Sequence, residues 1–447
     1  MTRRLRLLGP VFVVLLVLAA CQGGGGTSAS PGGGGSSGGS PPASGGEQIG
    51  GNVSLLGVWA DEEEESLRAM LQPFEESTGI TVDYEATRDL SAVLQTRVSG
   101  GNAPDVAGLP GASDIRALAE QDALVDLSTV LDMDYINENY AEDWVNLGTV
   151  DDKYVGLMVF TALKGNIWYN PQVFEDNGWE PPETFDDLDA LVEEMADTGT
   201  PPWGIGLESA EASGWPATDW IEDFVLRQSG PDVYDQWYQG QIDWSSDEIR
   251  SAWEAFGRWA TDERYVAGGP NAVLTTNFAE GGNCLFDDPP GCYLHHQASF
   301  ITGLGAFAEH EAGTDYAFFG FPDINDEFTG AVEGAGDQFG MFNDTPQARA
   351  LMNYLAKAEA QEIWIGRGGK LSANRDVDPS VYPDDISRQS AEILANAEIV
   401  RFDASDLMPG EVNQAFWTGV LDYVNDPGSL DDILADLDAT SDEAYGQ

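Results

Sequence analysis

The fold class can be inferred from residues 53–84, VSLLGVWADEEEESLRAMLQPFEESTGITVDY. Residues 53–59 form a short apolar run with strand character, and apolar residues recur at helical spacing within 61–76. Residues 80–84 then alternate between apolar and polar, which is typical of a second strand. A strand, a helix and a strand in succession predict an α/β lobe with a mainly parallel sheet.

The same alternation continues along the chain. Residues 90–98 predict a helix, and residues 105–109 and 165–169 predict short strands. Thr184, with Asp187 three positions later, forms a capping-box-like pair at the start of another helix. The chain is then mostly helical and rich in Trp, and the later predicted strands and helices are 292–301, 315–321, 346–362 and 410–424.

Length and charge narrow the function classes. The chain has 447 residues, of which 42% are hydrophobic, so two globular lobes are expected. Its 77 Asp and Glu against 20 Lys and Arg give a formal charge of −57, which disfavours any nucleic-acid partner. Such a surface repels itself unless salt screens it, and this suggests a salt-rich habitat. The acidic run 62–65 is interpreted as a solvated helix start.

The first 51 residues predict export and a membrane tether. Residues 1–21 combine three early arginines with a short apolar run, which is typical of a signal peptide. The run ends in Leu-Ala-Ala-Cys, similar to a bacterial lipobox in which the thiol of Cys21 receives a lipid such as palmitate. The alternative is an ordinary secretory signal with an incidental cysteine. Residues 22–51 are dominated by Gly, Ser and Pro, so they predict a flexible linker.

The other two cysteines, Cys284 and Cys292, flank a short segment that contains Pro-Pro-Gly. A turn there brings the two sulfurs together, and export favours oxidation, so a local disulfide is predicted. Two buried free thiols are the alternative.

The order of several motifs resembles a known family. The lipobox is followed by GITV at 79–82, GNAPDV at 101–106, WYNP at 168–171 and PETFDDL at 182–188. In this order they resemble the extracellular solute-binding proteins of carbohydrate ABC importers, of the maltose and alpha-glucoside binding type. The resemblance implies an α/β, periplasmic-binding-protein-like fold of two discontinuous lobes. A hinge of two or three strands would join the lobes, with the sugar held between them.

The resemblance also implies where the chain passes between lobes. The expected crossings lie near 159–164 and 318–323, with a third near 366–376. Lobe 1 would then comprise 52–162 and about 323–368, and lobe 2 about 163–322 and 369–447.

A sugar site needs flat aromatic faces for the C–H side of the ring and polar side chains for its hydroxyls. The resemblance places sugar-stacking aromatics at Trp215 and Trp417, although either ring can instead belong to the core. Asp219 and Asp337 are candidate hydroxyl acceptors, with helix-start and turn-stabilising roles as alternatives. Arg367 is expected to donate to the sugar or to Asp337. The remaining candidates are Trp59, Asp61, His296, Phe300 and Trp364.

Other function classes find little support in the sequence. A secreted glycan-active hydrolase would need paired carboxylates, but 77 acidic residues make chance pairs unavoidable. A glycan-binding adhesin shares every feature except docking to a permease. No catalytic residue, metal site or cofactor is predicted; structural Ca²⁺ is compatible with the acidity, but no EF-hand spacing indicates it. The expected protein is a monomeric, lipid-anchored receptor on the outer face of the cytoplasmic membrane. It would serve permease subunits driven by a separate ATPase.

Overall fold

The computed structural model describes residues 49–397 and 399–446. The predicted signal peptide, Cys21 and the linker up to residue 48 lie outside the described residues. Within the described ranges, no helix combines the length and the apolar character that crossing a bilayer requires.

Strands and helices alternate in the first part of the described chain, as residues 53–109 predict. Apolar positions of the first helix, among them Leu67 and Phe74, are fully buried against the sheet. The elements of this part are β1 (Gly51–Gly57), α1 (Glu62–Thr78), β2 (Ile80–Ala86), α2 (Leu90–Ser99), β3 (Val106–Leu109), α3 (Ala112–Glu120), α4 (Met133–Asn139), α5 (Glu142–Leu147), β4 (Thr149–Val150), β5 (Lys153–Tyr154) and β6 (Gly156–Leu163).

The middle of the chain is mostly helical. The predicted cap is confirmed, because the hydroxyl of Thr184 accepts the N–H of Asp187 and donates to its carboxylate at 2.7 Å. Cys284 and Cys292 form the predicted disulfide. The elements are β7 (Asn166–Tyr169), α6 (Pro171–Asn177), α7 (Phe185–Asp197), α8 (Trp215–Ser229), α9 (Pro231–Tyr238), α10 (Asp247–Ala260), α11 (Pro270–Thr275), β8 (Leu294–His296) and β9 (Ala317–Gly320).

The last part of the chain opens with the longest strand of the described residues and ends with two long helices. Its elements are β10 (Ala331–Met341), α12 (Pro346–Leu355), α13 (Ala358–Ile365), β11 (Leu371–Ser372), α14 (Asp385–Asn396), β12 (Ile399–Phe402), α15 (Gly410–Asn425) and α16 (Leu430–Tyr445).

Seven strands form the main sheet, in the order β11-β6-β10-β3-β1-β2, with β12 also paired to β10. β1 is parallel to β2 and β3, as predicted, but β10 runs antiparallel to both β3 and β6. The sheet is therefore mixed rather than mainly parallel. A second sheet has the order β8-β7-β9, and both of its pairings are antiparallel.

The chain changes sheet close to two of the three predicted crossings. It leaves the main sheet between β6 and β7 and returns between β9 and β10. β11, which lies within the third predicted crossing, pairs with β6, and β12 pairs with β10. The third crossing and the lobe limits stay a prediction.

The apolar residues form one large core around the main sheet, another among the central helices, and a smaller third cluster between α2, α3 and β3. Val53, Leu157 and Phe339 belong to the first. The second is dense in aromatic rings, including Trp220 and Trp253, both almost fully buried. Burial of these large apolar side chains supplies the main driving force for folding. Most tryptophans are therefore structural.

Candidate functional site

A cavity of about 910 Å³ lies where the main sheet, the start of α8 and the start of α15 meet. β10 contributes Asp337, at a break in its register with β6 between Asp337 and Gln338. Such a bulge re-aims side chains away from the regular alternation. The preceding glycine permits close packing, because a Cβ on Gly336 would lie 2.5 Å from the sulfur of Met158. The glycine-rich stretch thus shapes a strand at the cavity.

One wall of the cavity is aromatic. Trp215 is the first residue of α8 and is half-buried, with its ring centroid 5.3 Å from Phe278 and 5.8 Å from Phe300. Trp417, from α15, lines the same cavity. Gly214 has φ of 111°, and a Cβ there would lie 2.4 Å from the carbonyl oxygen of Trp417. The glycine therefore allows the start of α8 to approach the middle of α15 closely.

A second wall carries a buried ion-pair group. The ammonium of Lys370 lies 3.0 Å from a carboxylate oxygen of Asp337 and 3.4 Å from one of Glu63. The same nitrogen lies 5.7 Å from the ring centroid of Trp59, which stacks on Phe339 at 5.4 Å. Burial acts to lower the pKa of Lys370, but the two carboxylates outweigh it and raise that pKa. Lys370 is therefore a cation held against the cavity.

A second lysine sits between two other carboxylates. The ammonium of Lys164, just after β6, lies 2.8 Å from both Asp219 and Asp403. Burial acts to lower the pKa of Lys164, but its two neighbours outweigh it and raise that pKa. For Asp403 the lysine outweighs burial and lowers the pKa, whereas burial raises the pKa of Asp219 to about 7. Lys164 and Asp403 thus form the ionised pair, and Asp219 titrates near neutrality.

Six predicted site residues line this cavity, which brings together positions from distant parts of the chain. They are Trp59, Trp215, Asp219, Phe300, Asp337 and Trp417. Their contact with a ligand stays a prediction.

The other four predicted residues do not line it. Asp61 is exposed and immediately precedes α1. His296 is buried, and its Nε2 lies 2.7 Å from a carboxylate oxygen of Asp223. His296 points away because its ring packs on Trp220.

Trp364 and Arg367 line a smaller neighbouring cavity of about 360 Å³. Arg367 donates to the hydroxyl of Ser66 at 2.9 Å. The cation beside Asp337 is therefore Lys370, at 3.0 Å, and not Arg367 as the sequence suggested. Arg367 lies two residues past the end of α13, and its side chain extends towards α1 instead of β10.

Sequence reasoning missed both lysines and two of their partners, Glu63 and Asp403. Glu63 belongs to the acidic run that was interpreted as solvated, yet it lines the cavity. The sequence does contain an indication of the role of Lys164. Basic residues are scarce in this chain, and Lys164 directly follows the apolar run of β6. A lysine next to a fully buried strand must be paired, because an isolated buried charge is costly.

A cavity enclosed by elements of two α/β lobes defines a protein of the two-lobed solute-binding class. The bacterial extracellular solute-binding protein family matches residues 60–362, and the chain belongs to this family. The family consists of binding proteins, so the predicted class, a receptor rather than an enzyme, is confirmed.

Two relatives extend over most of the chain. The osmoprotective compounds-binding protein GgtB of Synechocystis sp. is 39% identical over 381 residues, which cover 85% of this chain and 90% of the relative. The alpha-glucosides-binding periplasmic protein AglE of Rhizobium meliloti is 37% identical over 393 residues, covering 86% of this chain and 85% of the relative.

Solved structures share the fold at low identity. A chitin oligosaccharide binding protein superimposes with a TM-score of 0.77 at 18% identity, covering 89% of this chain and 99% of that one. RafE in complex with raffinose gives 0.70 at 19% identity, covering 88% and 99%. These likenesses confirm the two-lobed fold.

Proposed function

We propose that this protein captures a neutral sugar, an alpha-glucoside or another small oligosaccharide, between its two lobes and delivers it to the permease of an ABC importer. Closure of the lobes over the ligand would present the shape that the permease recognises. Energy would come from a separate ATPase subunit.

The observation that carries this proposal is the joint presence, in one cavity, of aromatic rings and two lysine–carboxylate groups. Trp215 offers a half-buried ring to the apolar face of a pyranose. The cavity volume falls within the roughly 300–1,000 Å³ typical of sites that enclose a small ligand. An aromatic face beside polar groups is the combination that a sugar ring requires.

The charges of the two groups favour a ligand without net charge. Each ammonium has three donors and uses two on carboxylates, so Lys164 and Lys370 each keep one for a ligand hydroxyl. Each lysine also faces two carboxylates, which disfavours an anionic ligand and supplies acceptors for hydroxyl protons. A polyhydroxylated neutral molecule uses both kinds of group.

The relatives support the same ligand class. The name of AglE specifies alpha-glucosides and that of GgtB osmoprotective compounds, so both kinds of solute belong in a ligand screen. The family of binding proteins disfavours the hydrolase alternative, and an adhesin would require a polymeric glycan rather than a soluble one.

The test is a thermal-shift and calorimetric screen of the full chain against mono-, di- and trisaccharides, compatible solutes and amino acids. A ligand at 100 times its dissociation constant stabilises the native state by about 2.7 kcal/mol. The expected result is a shift with one glycoside series, with the glycoside chemically intact afterwards. Release of free sugar would support a hydrolase, and a shift only with amino acids would contradict the sugar proposal.

Trp215→Ala should weaken binding of that glycoside by about 1–3 kcal/mol, because the ring loses its stacking face. The matched control is Trp144→Ala. Trp144 is also half-buried and packs on one aromatic neighbour, Phe402, but it does not line the cavity. Equal affinity in the two variants would remove Trp215 from the site.

We also infer a monomeric protein, tethered outside the membrane through Cys21. Cys21→Ala should release the protein from the membrane fraction, while mass spectrometry of the wild type should find a diacylglyceryl group on that cysteine. An unmodified, secreted wild-type chain would contradict the anchor and leave the sugar proposal standing.

A further inference from the structure

Four carboxylates meet in the interior next to the ligand cavity. Asp219 and Glu222 lie on α8, Glu333 lies on β10, and Asp403 follows β12. One oxygen from each lies within 4.8 Å of those of the other three. All four residues are at most 2% exposed. Three separate elements therefore bring acidic groups to one buried point, which we call the carboxylate cluster.

Hydrogen bonds satisfy only part of the carboxylate cluster. The carboxylate of Glu222 accepts the backbone N–H groups of Ala404 and Ser405, each at 3.1 Å. Within the described ranges, no N–H or hydroxyl group donates to either carboxylate oxygen of Glu333 or to Oδ2 of Asp219, although the carboxyl groups of Glu222 and Glu333 lie within hydrogen-bonding reach of each other. Buried polar atoms are rarely left without a partner, because desolvation is then uncompensated. These three oxygens belong to the cluster and require either a proton or a cation.

The lysine beside the cluster does not fill this need. Lys164 contacts Asp219 through Oδ1 and Asp403 through Oδ2, each at 2.8 Å. It makes no contact within 4.0 Å with Glu333 or Glu222. One ammonium also leaves an excess of negative charge among four buried carboxylates, which is strongly unfavourable. A proton shared between the carboxylates, or a cation bound on the Glu333 side, must offset the remaining charge.

The dimensions fit a hard cation. Calcium binds carboxylate oxygens at about 2.3–2.6 Å, so opposite ligands of one ion stand about 4.6–5.2 Å apart. The 4.8 Å spread of the four oxygens matches that span. The donors are all oxygen, which hard divalent cations prefer over softer ones.

We propose that the carboxylate cluster of Asp219, Glu222, Glu333 and Asp403 binds one divalent cation of the size of Ca²⁺. Asp219 and Asp403 also line the ligand cavity, so the ion has a path of entry. Through these two shared carboxylates the ion fixes the position of Lys164 on the cavity wall. The sequence conceals this site because its ligands are spread from residue 219 to residue 403.

The experiment uses the full chain, stripped of metal with a chelator and kept in about 1 M NaCl, where the Debye length is about 3 Å and diffuse binding to the acidic surface is screened. Titration with CaCl₂, and separately with MgCl₂, is followed by calorimetry and by the melting temperature. We expect one Ca²⁺ per chain and a saturable rise in the melting temperature, with weaker binding of Mg²⁺, which requires shorter bonds.

Glu333→Gln should abolish the calcium-dependent shift, and Asp219→Asn provides a second test if the first variant does not fold. The matched control is Glu248→Gln, which removes an exposed carboxylate from the first turn of α10 and should keep the shift. The competing arrangement is a cluster held by protons, in which a protonated Glu333 donates to a neighbouring carboxylate. Absence of stoichiometric binding by the wild type, or binding unchanged in Glu333→Gln and Asp219→Asn, would overturn the cation site. Neither result affects the sugar screen.

Discussion

Replacing Lys370 by Met is expected to destabilise the protein by about 3–5 kcal/mol, because it removes one partner of a buried ion pair and leaves the others uncompensated. Lys370 and Asp337 have side-chain exposures of only 9% and 12%, so water screens their interaction poorly. Glu63, the second partner, is also largely buried, and without the ammonium the two carboxylates face each other. Methionine keeps the length and volume of the lysine stem, so little of the loss comes from packing.

A double-mutant cycle separates the ion pair from its surroundings. Asp337→Asn alone should cost about 1.5–3 kcal/mol, because Lys370 retains Glu63 at 3.4 Å. The double variant should cost less than the sum of the single ones by about 1–3 kcal/mol. The assay is urea unfolding followed by tryptophan fluorescence. Lys153→Met, which breaks an exposed pair with Asp122, is the control and should change stability little. Additive costs within about 0.5 kcal/mol would refute the reasoning.

Two further predictions concern the disulfide and the buried histidines. Replacing both Cys284 and Cys292 by Ser removes a cross-link between residues 8 positions apart. By the chain-entropy relation, the free energy of unfolding should fall by about 2.5 kcal/mol. An unchanged midpoint of urea unfolding would contradict this prediction. Burial lowers the pKa of His295 from 6.5 to about 4, so the unfolded chain takes up a proton first as the pH falls. The stability that neutral His295 provides is present above pH 6.5 and is lost towards pH 4, by at most about 3 kcal/mol. His295→Gln should therefore flatten the stability profile between these pH values, and an unchanged slope would contradict the assignment.

The local elements of the fold are predictable from the sequence because their signals are local. The apolar spacing in residues 53–84 reports directly which face of α1 is buried, and Thr184 marks the start of α7 through its own hydroxyl. The order of strands is not local. β10 lies between β6 and β3, which precede it by more than 150 residues, and it runs antiparallel to both. The hydrophobic pattern of a strand does not indicate whether it pairs parallel or antiparallel with its neighbours. The mixed sheet could therefore not be predicted from the sequence of β10.

The residues of the cavity likewise include some that the sequence predicts and some that it does not. Its aromatic residues, such as Trp215 and Trp417, are predictable from resemblance to a family, whereas its ion pairs join residues between 33 and 307 positions apart in the sequence. In a chain with 77 acidic residues, no single carboxylate stands out, and a search for acidic pairs therefore says little. The few basic residues are more informative than the many acidic ones. A buried lysine requires carboxylate partners, because an isolated buried charge is costly. Lys164 and Lys370 identify Asp219, Asp403, Asp337 and Glu63 as the acids that pair with a buried cation at the cavity. The positions of Lys164 and Lys370 therefore mark the two ion-pair groups of the cavity.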